Sequence, residues 1–140
     1  MRTIQDVEAD IIAEFAALPD LDAKFTRLFA LGQALPPLPA ALKTEANRVR
    51  GCQSELWFNL YEIDGRLHLQ AESDSLMISG IAALLARLVE GRPPEALSEL
   101  SLDFLDDLQL TKMTSRRNNG LLAMLDHLKT RALNTDGRMD

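Results

Sequence analysis

Apolar residues recur at helical spacing from the start of the chain, at Ile4, Val7, Ile11, Ile12, Phe15 and Leu18, with Gln5, Asp6, Glu8 and Glu14 between them. One apolar stripe with a period of about 3.6 predicts an amphipathic helix. Pro19 ends it, because proline has no amide hydrogen and its ring clashes with the preceding turn. Asp20 is placed to cap a second helix through Leu21, Phe25, Leu28, Phe29 and Gln33-Ala34, which stops at the breaker Leu35-Pro36-Pro37-Leu38-Pro39. Two helices joined by so short a turn read as a helical hairpin. One more helical turn fits residues 40–46.

Over residues 55–63 the period drops to two: Leu56, Phe58 and Leu60 point one way, and Trp57, Asn59 and Tyr61 the other. Asp64-Gly65 is a hairpin signal, since a two-residue turn of the primed type needs positive φ at both central positions. The chain returns over 66–72 with Leu67, Leu69 and Ala71 on the core face and His68 and Gln70 opposite, so the two strands are expected to be antiparallel. Asp74 or Ser75 can cap the next helix, whose stripe of Met77, Ile78, Ile81, Leu84, Leu85, Leu88 and Val89 is broad enough to be central to the core. Gly91 and Pro93-Pro94 stop it. Short helical pieces follow over 95–100 and 103–108. A final helix starts at Thr114 or Ser115 and turns Leu121, Leu122, Met124, Leu125 and Leu128 inward.

These elements predict an α+β fold, a small antiparallel sheet with helices packed on one face, because two strands in succession followed by helices do not build a parallel sheet. A lone hairpin is marginal, so either a third strand lies near Arg48 or the long helix supports the pair. The 140 residues suit one domain, 1–140, with the polar stretch 134–140 as a flexible tail.

Charge narrows the partners. A net charge of -6 and a pI near 4.9, with no basic stripe, argue against nucleic acid, since phosphate binding needs clustered cations. Asp6, Glu8 and Asp10 interrupt the N-terminus before it resembles a signal peptide, and no apolar run is long enough to cross a bilayer. A single cysteine permits no intramolecular disulfide, which fits a reducing cytoplasm. The apolar hairpin faces and Leu-rich helices suit a homodimer as readily as a core.

That cysteine, Cys52, stands in Arg50-Gly51-Cys52-Gln53-Ser54, just before the first strand. Counting ligands excludes several chemistries. A structural zinc site needs about four N or S ligands, and an iron-sulfur cluster about four cysteines. The chain has one Cys and two histidines, His68 and His127, in distant elements, so no metal site of its own is expected. Both histidines read as solvated surface residues, which leaves the thiol without a base for hydrolysis. No second cysteine can resolve a dithiol cycle. Group transfer needs one thiolate: it can attack a disulfide-like sulfur, take the outer atom as a persulfide and surrender it by the same exchange. Gly51 supplies a slim, conformationally tolerant neighbour for such an approach, or marks a plain turn.

The segment Asn47-Arg48-Val49-Arg50-Gly51-Cys52-Gln53-Ser54-Glu55-Leu56-Trp57 resembles the SufE family of cysteine desulfuration proteins. So do Leu31-Gly32-Gln33, the proline breaker, Glu72-Ser73-Asp74-Ser75 ahead of a helix containing Gly80, and Arg117-Asn118-Asn119-Gly120-Leu121. The likeness runs roughly over 20–133. It implies a SufE-like fold similar to that of iron-sulfur scaffold proteins. It also implies a function: a pyridoxal-phosphate cysteine desulfurase, stimulated by its partner, passes sulfur to the loop cysteine, and the persulfide goes on to an iron-sulfur scaffold complex. On this resemblance Cys52 is the acceptor, sheltered under a loop that opens for transfer, with no cofactor of the chain's own. Gly51, Gln53, Asp74 and Arg117 are its supporting residues. Arg117 would lower the thiolate pKa or tether the loop, and Asp74 would cap its helix; the alternative is a cap and a surface ion pair without a chemical part. Lys112-Met113-Thr114-Ser115-Arg116-Arg117 departs from the family's pattern by lacking a His and a Pro. Two rival functions share these residues: an adaptor that activates a desulfurase without carrying sulfur, and a single-cysteine thiol enzyme such as a peroxidatic protein.

Overall fold

The computed structural model describes residues 3–50, 55–101, 103–108 and 118–136, with the backbone alone at 106, 118–120 and 133–136. The first helix, α1 (Ile4–Ala16), begins with a capping box: the Asp6 amide donates to Thr3 Oγ1 at 3.1 Å and the Thr3 amide to Asp6 Oδ2 at 3.0 Å. Its stripe Ile4, Val7, Ile11 and Phe15 is buried. Asp20 caps α2 (Leu21–Gln33) by accepting from the Ala23 amide at 2.8 Å. These two helices do not pair as a hairpin along their length. Each packs chiefly on α3 (Leu76–Val89), the most apolar helix, which has buried residues on nearly every side.

The α2–α3 crossing is close because glycines meet there. A Cβ on Gly80 would press against the Leu28 carbonyl and lie 2.6 Å from Leu28 Cγ, and one on Gly32 would lie 2.6 Å from the Gly80 nitrogen. Neither position has room for a methyl group, which explains both glycines by packing rather than by backbone conformation.

A 3-10 turn at Ala40–Leu42 is all the helix in the 40–46 segment. Strands β1 (Leu56–Ile63) and β2 (Arg66–Ser73) then form an antiparallel pair in the register Leu56↔Ser73 to Ile63↔Arg66. Their turn residues Asp64 and Gly65 have φ of 54° and 80°, as a primed hairpin turn requires. Leu56, Phe58, Leu60, Leu67, Leu69 and Ala71 are buried against the helices. On the other face Asn59 Nδ2 donates to Gln70 Oε1 at 2.8 Å, and the Tyr61 and His68 rings stack.

Support for the marginal hairpin comes from both sides. Arg48 forms an antiparallel bridge with Trp57 beside β1, and α3 lies against β2. After Gly91, at φ 77°, the chain pairs again with β2: the Gly91 amide donates to Leu67 O and the Leu67 amide to Arg92 O, each at 2.8 Å. A 3-10 stretch (Pro94–Glu99) and the short α4 (Asp103–Asp107) lead to α5 (Asn118–Asp136). This last helix runs to Asp136, into the segment that reads as a tail from sequence. One hydrophobic cluster extends from Ile4 to Ala132. No described helix is long and apolar enough to cross a membrane.

Candidate functional site

Cys52, Gly51 and Gln53 lie in 51–54, and Arg117 lies in 109–117, outside the described residues. The site is therefore built from the two limbs that carry the cysteine connection and from what holds them.

The upstream limb, 44–50, is a turn that runs into an extended stretch. The Asn47 and Arg48 amides both donate to Thr44 O, and the Arg48 amide also reaches Glu45 O. The limb then aligns with β1. The Phe58 amide donates to Asn47 O at 2.8 Å and the Val49 amide to Leu56 O at 2.9 Å. Val49 and Asn47 are buried, and Asn47 Nδ2 donates to Leu42 O at 2.8 Å. A buried amide side chain whose Nδ2 is bonded to Leu42 O helps to fix this limb. The Val49–Leu56 bond is the innermost described rung between the two limbs.

The downstream limb is held at Glu55. Its amide donates to Asp74 Oδ1 at 3.0 Å, the Asp74 amide returns a bond to Glu55 O at 3.3 Å, and Ser73 Oγ donates to the same carbonyl at 2.6 Å. Asp74 is thus not the helix cap. Ser75 is, through Oγ accepting from the Ile78 amide at 3.2 Å. Asp74 stands one residue earlier, in the bend after β2, with its carboxylate on the Glu55 amide at the entry to β1. Buried Ser79 Oγ donates to Ser73 O at 3.3 Å, tying this corner to α3.

Beside the upstream limb a groove of about 410 Å³ runs between 45–50 and α5, lined among others by Arg48, Arg50, His127 and Arg131. Arg50 pairs with Glu45 at 2.7 Å, and Arg131 Nη1 donates to Ala46 O at 3.0 Å. His127 is not the solvated residue expected from sequence. Its Nε2 is buried with no hydrogen-bond partner among the described residues, and its ring stands edge-on to Phe58 at 6.0 Å. Burial holds its pKa below the usual imidazole value, and the Arg131 charge adds to this. His68 stays on the outer face, with Nδ1 2.5 Å from Glu90 Oε2.

Trp57 is half-buried between two cations, Lys43 Nζ at 5.3 Å and the Arg48 guanidinium at 5.9 Å from the ring centre. Lys43 also bonds Glu72 at 2.8 Å, and the Leu38 amide reaches the same carboxylate at 2.7 Å; these bonds hold Glu72 below the usual carboxylate range. The proline segment is thereby tied to β2. Sequence does not single out Ser73, Glu55 or Arg131. Ser73 lies inside the Glu72-Ser73-Asp74-Ser75 motif, whereas no local signal marks Arg131. Among the described residues no group of His, Cys, Asp and Glu is arranged to hold a metal ion.

Taken together, the two limbs that flank residues 51–54 are braced from α3's entry on one side and from α5 on the other. Residues 9–132 match the domain described as "SufE: Fe-S metabolism associated domain". The chloroplastic/mitochondrial SufE-like protein 1 of Arabidopsis thaliana is 34% identical over 129 residues, which are 91% of this chain and 35% of the plant protein. The chain thus spans about a third of that relative's length. Sulfur acceptor protein CsdE of Escherichia coli (strain K12) is 32% identical over 114 residues, 79% of this chain and 77% of CsdE. The solution structure of a hypothetical protein from Thermus thermophilus has the same fold, with a TM-score of 0.79, 23% identity, and coverage of 94% of this chain and 97% of its own. The chain belongs to the SufE family.

Proposed function

We propose that this chain carries sulfur as a persulfide on Cys52, taking it from a pyridoxal-phosphate cysteine desulfurase, stimulating that enzyme, and passing the sulfur toward iron-sulfur cluster assembly. The observation that carries the reading is the placement of the sole cysteine in a short connection braced at both limbs, in a chain of this family. A relative named as a sulfur acceptor supports it. The pyridoxal phosphate belongs to the partner; this chain supplies a nucleophile and the frame that aims it.

The transfer step balances without an external oxidant. The Cys52 thiolate attacks the outer sulfur of the desulfurase persulfide, a new S–S bond forms at Cys52, and the S–S bond on the desulfurase breaks. The desulfurase leaves as a thiolate, and the proton on the outer sulfur travels with it to Cys52. The firmly held upstream limb lowers the conformational cost of presenting the thiol, while the downstream limb, held by exposed bonds, is the end that can yield.

Incubation with a desulfurase, cysteine and pyridoxal phosphate is expected to add about 32 Da to the Cys52 peptide of the wild type, one sulfur atom, and nothing to Cys52→Ser. An equal gain in the serine variant, or none in the wild type, refutes the carrier. Full stimulation of desulfurase turnover by Cys52→Ala would establish the adaptor in its place.

A further inference from the structure

The carbonyls of the turn that opens the upstream limb, 44–47, each accept a hydrogen bond. Thr44 O accepts from the Asn47 and Arg48 amides, Glu45 O from the Arg48 amide, and Asn47 O from the Phe58 amide. The remaining carbonyl of the turn, Ala46 O, faces α5 and receives Arg131 Nη1 at 3.0 Å. These two residues are 85 positions apart, so the bond crosses from the last helix to the limb that enters the cysteine connection. Half-buried Arg131 sits one turn along α5 from His127, whose ring packs edge-on against Phe58. The helix that grips the limb is thus anchored on the strand with which the limb pairs. The hydrophobic side of α5 is already secured by Leu121, Met124, Leu125, Leu128 and Ala132, so the core does not need the arginine.

We propose that Arg131 is a positioning residue for sulfur acceptance: from α5 it clamps Ala46 and so fixes the frame, Asn47 to Val49 against Leu56 to Phe58, from which the cysteine is presented. A guanidinium suits the task, because its charge is permanent and its planar fork loses little freedom on bonding a carbonyl. The proposal rests on the carrier reading for its functional half. Its structural half, the clamp, stands independently.

The test compares Arg131→Met, which keeps the stem and removes the donors, with Arg131→Lys, which restores one donor. Amide exchange is followed at Val49 and Phe58, whose hydrogens bond across the frame, and at Leu85 in α3 as a control. In Arg131→Met the two frame amides should exchange about fivefold faster, the factor carried by one ordinary hydrogen bond, with Leu85 changed no more than this and Tm lowered by no more than about 4 °C. Desulfurase turnover titrated with the carrier should lose about fivefold in kcat with its half-saturating concentration altered by less than about twofold, since a misaimed frame impairs the step rather than docking. Arg131→Lys should recover most of both. Unchanged frame amides in Arg131→Met, or faster exchange with intact kcat, overturns the proposal, as does acceleration of all amides well beyond fivefold with Tm lowered by more than about 4 °C. Absence of sulfur on wild-type Cys52 defeats the carrier reading and the functional half with it, while the exchange arm still decides the clamp.

Discussion

Replacing Asp74 with alanine removes the one side-chain acceptor bonded to the Glu55 amide and leaves the surrounding fold in place. The lost bond is 3.0 Å long and solvent-exposed, so it belongs at the low end of the range for a carboxylate acceptor, about 1 kcal/mol, or about fivefold in the population of released Glu55. Two bonds to Glu55 survive, from the Asp74 amide at 3.3 Å and Ser73 Oγ at 2.6 Å. Removing the serine hydroxyl as well should therefore deepen the effect to at most about thirtyfold, and less if the neighbouring bonds are cooperative. Asp74→Asn keeps an oxygen acceptor and should change little. The measurement is amide exchange at Glu55, followed by the rate of persulfide loading on Cys52 at limiting desulfurase. Glu55 stands opposite Asp74, one step past the terminal Leu56↔Ser73 pair, so its tether closes the end of the β1–β2 ladder next to residues 51–54. Loosening it should increase the fraction able to reach a partner's active site and speed loading by up to the same factor. Unchanged Glu55 exchange in Asp74→Ala refutes the tether. Faster exchange with slower loading refutes its assigned purpose.

Two further predictions concern the frame's support. Gly80→Ala forces a methyl group onto the Leu28 backbone at the α2–α3 crossing and should cost about 3 kcal/mol, lowering Tm by about 10 °C; a loss under about 2 °C would show that the helices can part freely. The lowered pKa of His127 means that the folded protein resists protonation that the unfolded chain accepts near the ordinary imidazole value of 6.5. Its contribution is therefore fully present above that value and is lost as pH falls from there through the lowered folded pKa. Wild-type Tm should drop between about pH 7.5 and 5.5 by more than that of His127→Gln, and equal losses would place the sensitive group elsewhere.

The parts of this architecture legible in the sequence are those decided by neighbours along the chain. Asp20 caps α2, Asp64-Gly65 turns the hairpin, and alternation sorts Phe58 from Trp57, because caps, primed turns and strand faces depend on a few consecutive residues. The misreadings share a different cause. Asp74 reads as a cap of the nearest helix because capping is local chemistry, but its partner Glu55 is 19 residues away. His127 reads as solvated by residue type, whereas the burial of its ring nitrogen depends on where α5 meets β1. The first two helices read as a hairpin by their short turn, yet α3, with its glycine crossing, offers each a larger apolar face. Distance in sequence, not weakness of the interaction, hides these features. The cysteine motif stands out through family resemblance alone, and its supporting bonds cross between elements that no single motif spans.

The two limbs are secured by different kinds of bond, and the difference matters for a group that must meet a second protein. Upstream, backbone rungs and a buried Asn47 join the limb to β1, and Arg131 adds a grip from α5. Breaking this side would disturb strand pairing and bury polar groups without partners, so it behaves as a frame. Downstream, Glu55 is exposed and held by short side chains at the entrance to α3, where release leaves every bond partner able to find water. Such a bond costs little to exchange and can open at thermal cost while the frame stays shut. The two ends that flank residues 51–54 therefore differ in what their release costs. On the carrier reading proposed above, that asymmetry lets the downstream end release while the upstream ladder stays paired.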